Sequence, residues 1–136
     1  MSARSKARKR ALDVLYSAEQ RGITLLDALA DEEQRAASEP ARAGSWSYAR
    51  DIIAGVAEHA SEIDELIETY AHGWTIARMP AIDRALARIA IWELTRNPQV
   101  PHAVAISEAL DAARTYSTDE SANFLGGLLG RIASVQ

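Results

Sequence analysis

Cysteine is missing from this chain of 136 residues, so a disulfide framework and a thiolate metal site are both excluded. That absence fits a cytoplasmic protein. Long apolar runs are missing too, and no stretch approaches the roughly 18 residues that a membrane span needs. The N-terminus has the charge of a signal peptide's first region, but Asp13, Ser17, Glu19 and Gln20 interrupt the apolar segment that should follow. A soluble, intracellular chain with no membrane contact is the expectation. Strand patterning is also absent, because Val, Ile, Tyr and Phe never alternate with polar residues over strand lengths. Without strands there is no strand-to-helix turn to carry a Gly-rich phosphate loop. No internal repeat is evident. The histidines, His59, His72 and His102, fall on separate predicted elements. Glu68 with His72 and His59 with Glu62 read as ordinary surface pairs, and neither repeats the Glu-x-x-His arrangement of a di-iron bundle. Catalysis, a resident metal and a cofactor are therefore not expected.

Lysine is scarce, and where it stands is informative. Both lysines, Lys6 and Lys9, lie in "MSARSKARKR" beside Arg4, Arg8 and Arg10. The whole chain sets fifteen basic against nineteen acidic residues, for a net charge of −4. Without residues 1–10, ten basic residues face the same nineteen acidic ones, and the body carries −9. Such a body does not gather polyanions by bulk attraction. If nucleic acid is the partner, contact is local and centred on the basic segment. The alternative is a solvated, disordered tail.

What the chain does contain is helix-forming sequence, 48% hydrophobic and rich in alanine, enough for the core of a single domain or two small subdomains. A first helix is predicted over about 5–20, with Ala11, Val14, Leu15 and Ala18 on one face and Gly22 ending it. Thr24 with Asp27 resembles a capping box for a second helix over 24–36. "ASEPARAGS" reads as a loop. A third helix begins near Trp46 and carries Ile52, Ile53 and Val56. Ser61 is placed to cap a fourth, with Ile63, Leu66, Ile67 and Tyr70 facing inward, and Gly73 breaks it. Pro80 suits the first turn of a fifth helix ending near Arg96. A sixth spans about 102–115, and Ser117 with Glu120 suggests the cap of a seventh over 118–134.

In "AIDRALARIAIWEL" the apolar residues run almost all round the wheel, the mark of a helix surrounded by others. Glu93 lies among those apolar directions, so it must be hydrogen-bonded or at a subunit edge, since burying it unpaired costs several kcal/mol. In the seventh helix Phe124, Leu125, Leu128, Leu129 and Ile132 form a stripe. Gly126, Gly127 and Gly130 cluster opposite, suggesting close approach of another group or a frayed end. As the only phenylalanine, Phe124 would ordinarily be core.

The stretches "RKRALDVLYS", "AIDRALARIAIWEL" and "VPHAVAISEALDAARTYSTDESANFLGGLLG" together resemble the NusB transcription antitermination factors, nearly end to end. The resemblance implies an all-α fold of two small three-helix bundles sharing a central helix region, with an N-terminal bundle over about 5–72 and a C-terminal one over about 75–134. It implies no enzymatic activity, pairing with the ribosomal protein NusE, and binding of the boxA element of nascent RNA. RNA polymerase is then an indirect partner. Self-association is also implied, since some relatives form homodimers that hide the RNA face.

On matching positions, the resemblance assigns phosphate contact to Arg4, Lys6, Arg8, Lys9 and Arg10, and contact with a base or ribose to Tyr16. It makes Asp83 and Arg88 RNA-facing. By chemistry alone Asp83 would simply favour the helix N-terminus, and Arg88 would form a surface ion pair. Glu120 and Phe124 match a base-reading carboxylate and a base-stacking aromatic, types suited to splayed, unpaired bases. The chain departs from the family pattern at Glu120, where Asp is usual, at Gly126, where Asn is common, and at Asn123, which is basic in some relatives. Five phosphate contacts to single-stranded RNA predict a log–log salt slope of roughly −3.5, with the basic segment extending the first helix on binding. The rival reading is a helical protein-binding adaptor without specific RNA recognition, using apolar surface around Tyr70, Trp74 and Trp92.

Overall fold

Ser2 starts the first helix by accepting a hydrogen bond from the Ser5 N–H at 3.0 Å, a standard N-cap. In this computed structural model residues 2–136 are described, Arg42 by its backbone alone. Helix α1 spans Ala3–Arg21, so the whole basic segment is already helical. The expectation that RNA would extend this helix is therefore corrected. Gly22 ends α1 at φ 67°, where the left-handed conformation costs a glycine little.

Helices α2 (Leu25–Ser38) and α3 (Ala43–Glu58) complete a first compact unit, residues 1–58. Thr24 caps α2 as its sequence suggested, accepting from the Asp27 N–H at 3.1 Å. A 3-10 turn over Pro40–Arg42 leads directly into α3, which starts before Trp46 because that turn already supplies helical backbone. Ala7, Ala11 and Ala49 have no exposed surface. These small side chains let α1 lie close along α3, while Leu12, Leu15, Ile52, Ile53 and Val56 fill the core.

The second unit, residues 59–136, holds α4 (Ala60–Tyr70), α5 (Ala81–Arg96), α6 (His102–Tyr116) and α7 (Asp119–Ala133). The boundary thus falls at Glu58/His59, not at the Gly73 break, because α4 packs on α5 and α7. Helix α4 begins one residue before Ser61, which is exposed and caps nothing. Helix α5 packs against α4, α6 and α7, and ten of its sixteen residues are buried, as its all-round apolar pattern requires. Glu93 is 1% exposed and is not without a partner. All seven α-helices and no strand are found among the described residues.

Helix α7 runs unfrayed to Ala133, so two of its glycines need no close approach. A Cβ at Gly130 would meet nothing within 4 Å, and one at Gly126 would only touch the Leu110 methyls at 3.6 Å. Gly127 differs, since a Cβ there would sit 3.1 Å from Arg131 Nη1. Arg131 folds back along that bare patch and donates from Nε and Nη2 to the Tyr70 carbonyl at 3.0 and 2.8 Å, satisfying the last turn of α4. Gly130→Ala is expected to stabilise the chain by about 0.5–1 kcal/mol, read as a rise in Tm. A fall would show that the glycine serves something other than the helix.

Candidate nucleic-acid interface

Each unit carries its own set of candidate groups. In the first, Arg4 and Arg8 are one turn apart on α1, and both guanidiniums lie over the ring of Tyr48 in α3, at 5.0 and 5.8 Å from its centroid. Arg10 stacks over Trp46 at 5.1 Å, and its Nη1 donates to Ser45 Oγ at 3.1 Å. Aromatic faces attract guanidiniums through their quadrupole and leave the in-plane N–H groups pointing outward. Lys9 is held differently, with its ammonium 2.7 and 2.8 Å from the two oxygens of Asp13. Lys6 is exposed, and Tyr16 is 40% exposed. Trp46 and Tyr48 escaped the sequence reading because the contacts that give them meaning cross about forty residues.

In the second unit a groove of about 610 Å³ opens between the 74–80 segment and the start of α7. The sequence prepares its outer wall through a tied loop. His72 (φ 44°) and Gly73 (φ 91°) turn the chain out of α4, and Trp74 N–H returns to the Ala71 carbonyl at 3.4 Å. Glu68 accepts from the Ile76 N–H at 3.2 Å, so its carboxylate closes this loop instead of pairing with His72, which lies beyond the helix end. Arg84 donates to the carbonyls of Ile76 and Met79. Trp74 is thereby held 48% exposed, with its ring 5.6 Å from that of Phe124 and tilted by 54°. Phe124 is half-buried at the groove instead of in the core.

The floor is polar. Asp83 is only 3% exposed and accepts from Ser117 Oγ at 2.8 Å. Ser117 and Ser121 share a hydrogen bond at 3.0 Å, and Thr118 Oγ1 donates to Ser121 Oγ at 3.0 Å. The cap of α7 is accordingly Thr118, whose Oγ1 accepts from the Ser121 N–H, and not Ser117, whose hydroxyl is taken by Asp83. An open, RNA-facing Asp83 is thus replaced by a buried carboxylate that joins α5 to the α6–α7 turn. Glu120 and Asn123 stand exposed at the rim.

Arg88 lies outside the groove. Its Nε and Nη2 make a fork to the two oxygens of Asp64 at 2.9 and 3.1 Å, which fixes α5 to α4 as the ion-pair reading anticipated. Of the three aromatics offered for an adaptor surface, Trp92 is buried, Tyr70 is half-buried and Trp74 alone is exposed. His59 pairs with Glu62 at 3.8 Å, and Glu62 also takes Arg96. Among the described residues no group of His, Asp or Glu could hold a metal ion, and no helix is long and apolar enough to cross a membrane.

Seven helices, a cationic helix face stacked on aromatics and an uncharged-to-acidic aromatic groove define an all-α protein with the equipment of a nucleic-acid binder. Comparison with known proteins narrows that class. Residues 5–134 match the model of the NusB family, and the chain belongs to that family. It is 64% identical to the transcription antitermination protein NusB of Leifsonia xyli subsp. xyli, over 98% of this chain and 92% of that one. The solved NusB of T. maritima superposes with a TM-score of 0.81 at 32% identity, covering 96% and 90% of the two chains. A crystal structure of the antitermination factors NusB and NusE in complex with dsRNA contains a chain of the same fold, with a TM-score of 0.82 at 23% identity and coverage of 100% and 99%. The family is one of non-enzymatic factors.

Proposed function

We propose that this chain is a transcription antitermination factor. It binds boxA-type single-stranded RNA together with ribosomal protein NusE and thereby promotes processive transcription of ribosomal RNA operons in the cytoplasm. The observation that carries this reading is the near full-length identity to proteins bearing that function in their names, joined to residue types that suit RNA at the family's matching positions. Arg4, Lys6, Arg8, Lys9 and Arg10 present positive charge from one preformed helix, which needs no ordering before it meets phosphates. Phe124 supplies a stacking face and Glu120 an acceptor for base donors. Asp83 and Arg88 serve the site indirectly, through Ser117 and Asp64.

Fluorescence anisotropy of a labelled boxA-type RNA against a scrambled control tests the reading, first with this protein alone and then with NusE added. The expected result is preference for the boxA-type RNA, strengthened by NusE. Equal, weak binding to both RNAs in both conditions would overturn it. The adaptor reading keeps one supporting observation, the exposure of Trp74. It requires tight partner binding that is indifferent to Arg8, Tyr16 and Phe124.

A further inference from the structure

We infer that Tyr48 of α3 is a positioning residue for the cationic face of α1, and that its ring makes arginine at positions 4 and 8 worth more than the charge it brings. The inference rests on the RNA-binding reading above and adds to it a residue that needs no contact with RNA itself.

Arg4, Ala7, Arg8 and Ala11 fall on one side of α1, because residues three and four apart on a helix are neighbours. Ala7 and Ala11 have no exposed surface, and neither has Ala49 of α3, so the two helices lie close along this side. Tyr48, next to Ala49, is thereby brought beside the first turns of α1. The Arg4 and Arg8 guanidiniums rest 5.0 and 5.8 Å from the centre of its ring. Arg10 repeats the arrangement on Trp46 at 5.1 Å. All three arginines of the basic segment thus lie over rings, whereas Lys9 is held by Asp13 and Lys6 stands exposed.

A guanidinium is planar and weakly hydrated, so it settles on an aromatic face while its N–H groups stay in its own plane for a phosphate. An ammonium is compact and strongly hydrated, and over the same ring it gives up water or turns donors toward the face. An arginine that is mobile in the free protein loses rotamer freedom when it closes on a phosphate, a cost of roughly threefold in affinity per side chain. Held on Tyr48, Arg4 and Arg8 have given up part of that freedom before RNA arrives. Two like charges over one ring also repel each other, and approaching phosphates relieve that repulsion. A contact that only joined α1 to α3 would have none of these consequences for RNA. The distinction is whether removing the ring costs RNA affinity while every cation stays in place.

The test uses the full chain and the labelled boxA-type RNA, titrated between about 50 and 200 mM salt. Arg4→Lys combined with Arg8→Lys keeps both charges. Its affinity should fall about tenfold with the salt slope of the unaltered protein, since the same number of cations meets the RNA. Tyr48→Leu should have the same effect, and Tyr48→Phe, which keeps the ring face, should bind as the unaltered protein does. Tyr48→Leu added to the two lysine changes should cost no more than either alone, because both remove one contact. Unchanged affinity in the double lysine variant would overturn the positioning role while leaving the RNA reading intact, and this variant decides even where Tyr48→Leu fails to fold. A shallower slope in it would do the same, because charge and not its presentation would then have been lost. Additive losses in the combined variant would show Tyr48 acting through the fold alone and likewise overturn the role. So would a Tyr48→Phe variant as weak as Tyr48→Leu, which would assign the effect to the hydroxyl. Failure of the unaltered protein to bind the RNA would remove the RNA reading and the positioning role together.

Discussion

Changing Arg4, Lys6 and Arg8 together to alanine is expected to weaken RNA binding by roughly 500-fold at about 50 mM salt and to remove most of its salt dependence. Five independent phosphate contacts would give a slope near −3.5, but Lys9 already has a carboxylate at 2.7 Å. Four contacts remain, and the slope expected of the unaltered protein is roughly −2.8, about a fiftyfold loss between 50 and 200 mM salt. Removing three of the four takes away about 2.1 of that slope, and the affinity lost at low salt follows from the same linear relation. Alanine keeps the helix, and the buried Ala7 and Ala11 of the same segment are untouched, so the stability lost is limited to the two guanidinium contacts on Tyr48, about 0.5–1 kcal/mol each. Asp13→Asn is the complementary change. It releases Lys9 and should steepen the slope by about 0.7. Affinity and slope unchanged in the triple variant would make the N-terminal cations a solvated feature with no part in binding.

The sequence disclosed whatever depended on near neighbours. Thr24 with Asp27, Gly22 after the first apolar stripe and the apolar circumference of α5 all act within a few residues, and each stands where its pattern put it. The failures involve long-range partners. Ser117 resembles a helix cap until Asp83, thirty-four residues earlier, takes its hydroxyl and passes the cap to Thr118. Glu68 and His72 have pair spacing only if the helix continues, and it ends at Tyr70. Gly127 does have the close neighbour that its bare backbone suggested, and that neighbour is Arg131 of the same helix, reaching across to Tyr70. The sequence offered Trp74 only as part of an adaptor surface with Tyr70 and Trp92, not as a partner of Phe124. Its place opposite Phe124 follows from a loop pinned by Arg84 and Glu68, a tertiary arrangement that composition and periodicity do not encode.

Phe124 and Leu125 are adjacent on α7 and are expected to fail in opposite ways. Leu125 has no exposed surface and lies in the core of the second unit with Leu128, Leu129 and Ile132. Leu125→Ala removes buried methyl groups from a closely packed site and should cost about 2–5 kcal/mol of stability, a large part of the 5–15 kcal/mol typical of a domain. At 0.15 M salt and a temperature where the variant stays folded, its RNA affinity should match that of the unaltered protein. Phe124 is half-buried and faces the groove beside Trp74. Phe124→Ala should lower RNA affinity about tenfold, as loss of one base-stacking face does, with a much smaller change in Tm because the ring was never enclosed. Urea denaturation and RNA anisotropy on both variants separate these outcomes. If Phe124→Ala lost as much stability as Leu125→Ala and kept its RNA affinity, the phenylalanine would belong to the core and the groove would lose its stacking face. The expected crossing of the two readouts places the division between fold and function one peptide bond apart, where a helix turns successive side chains by 100° to different environments.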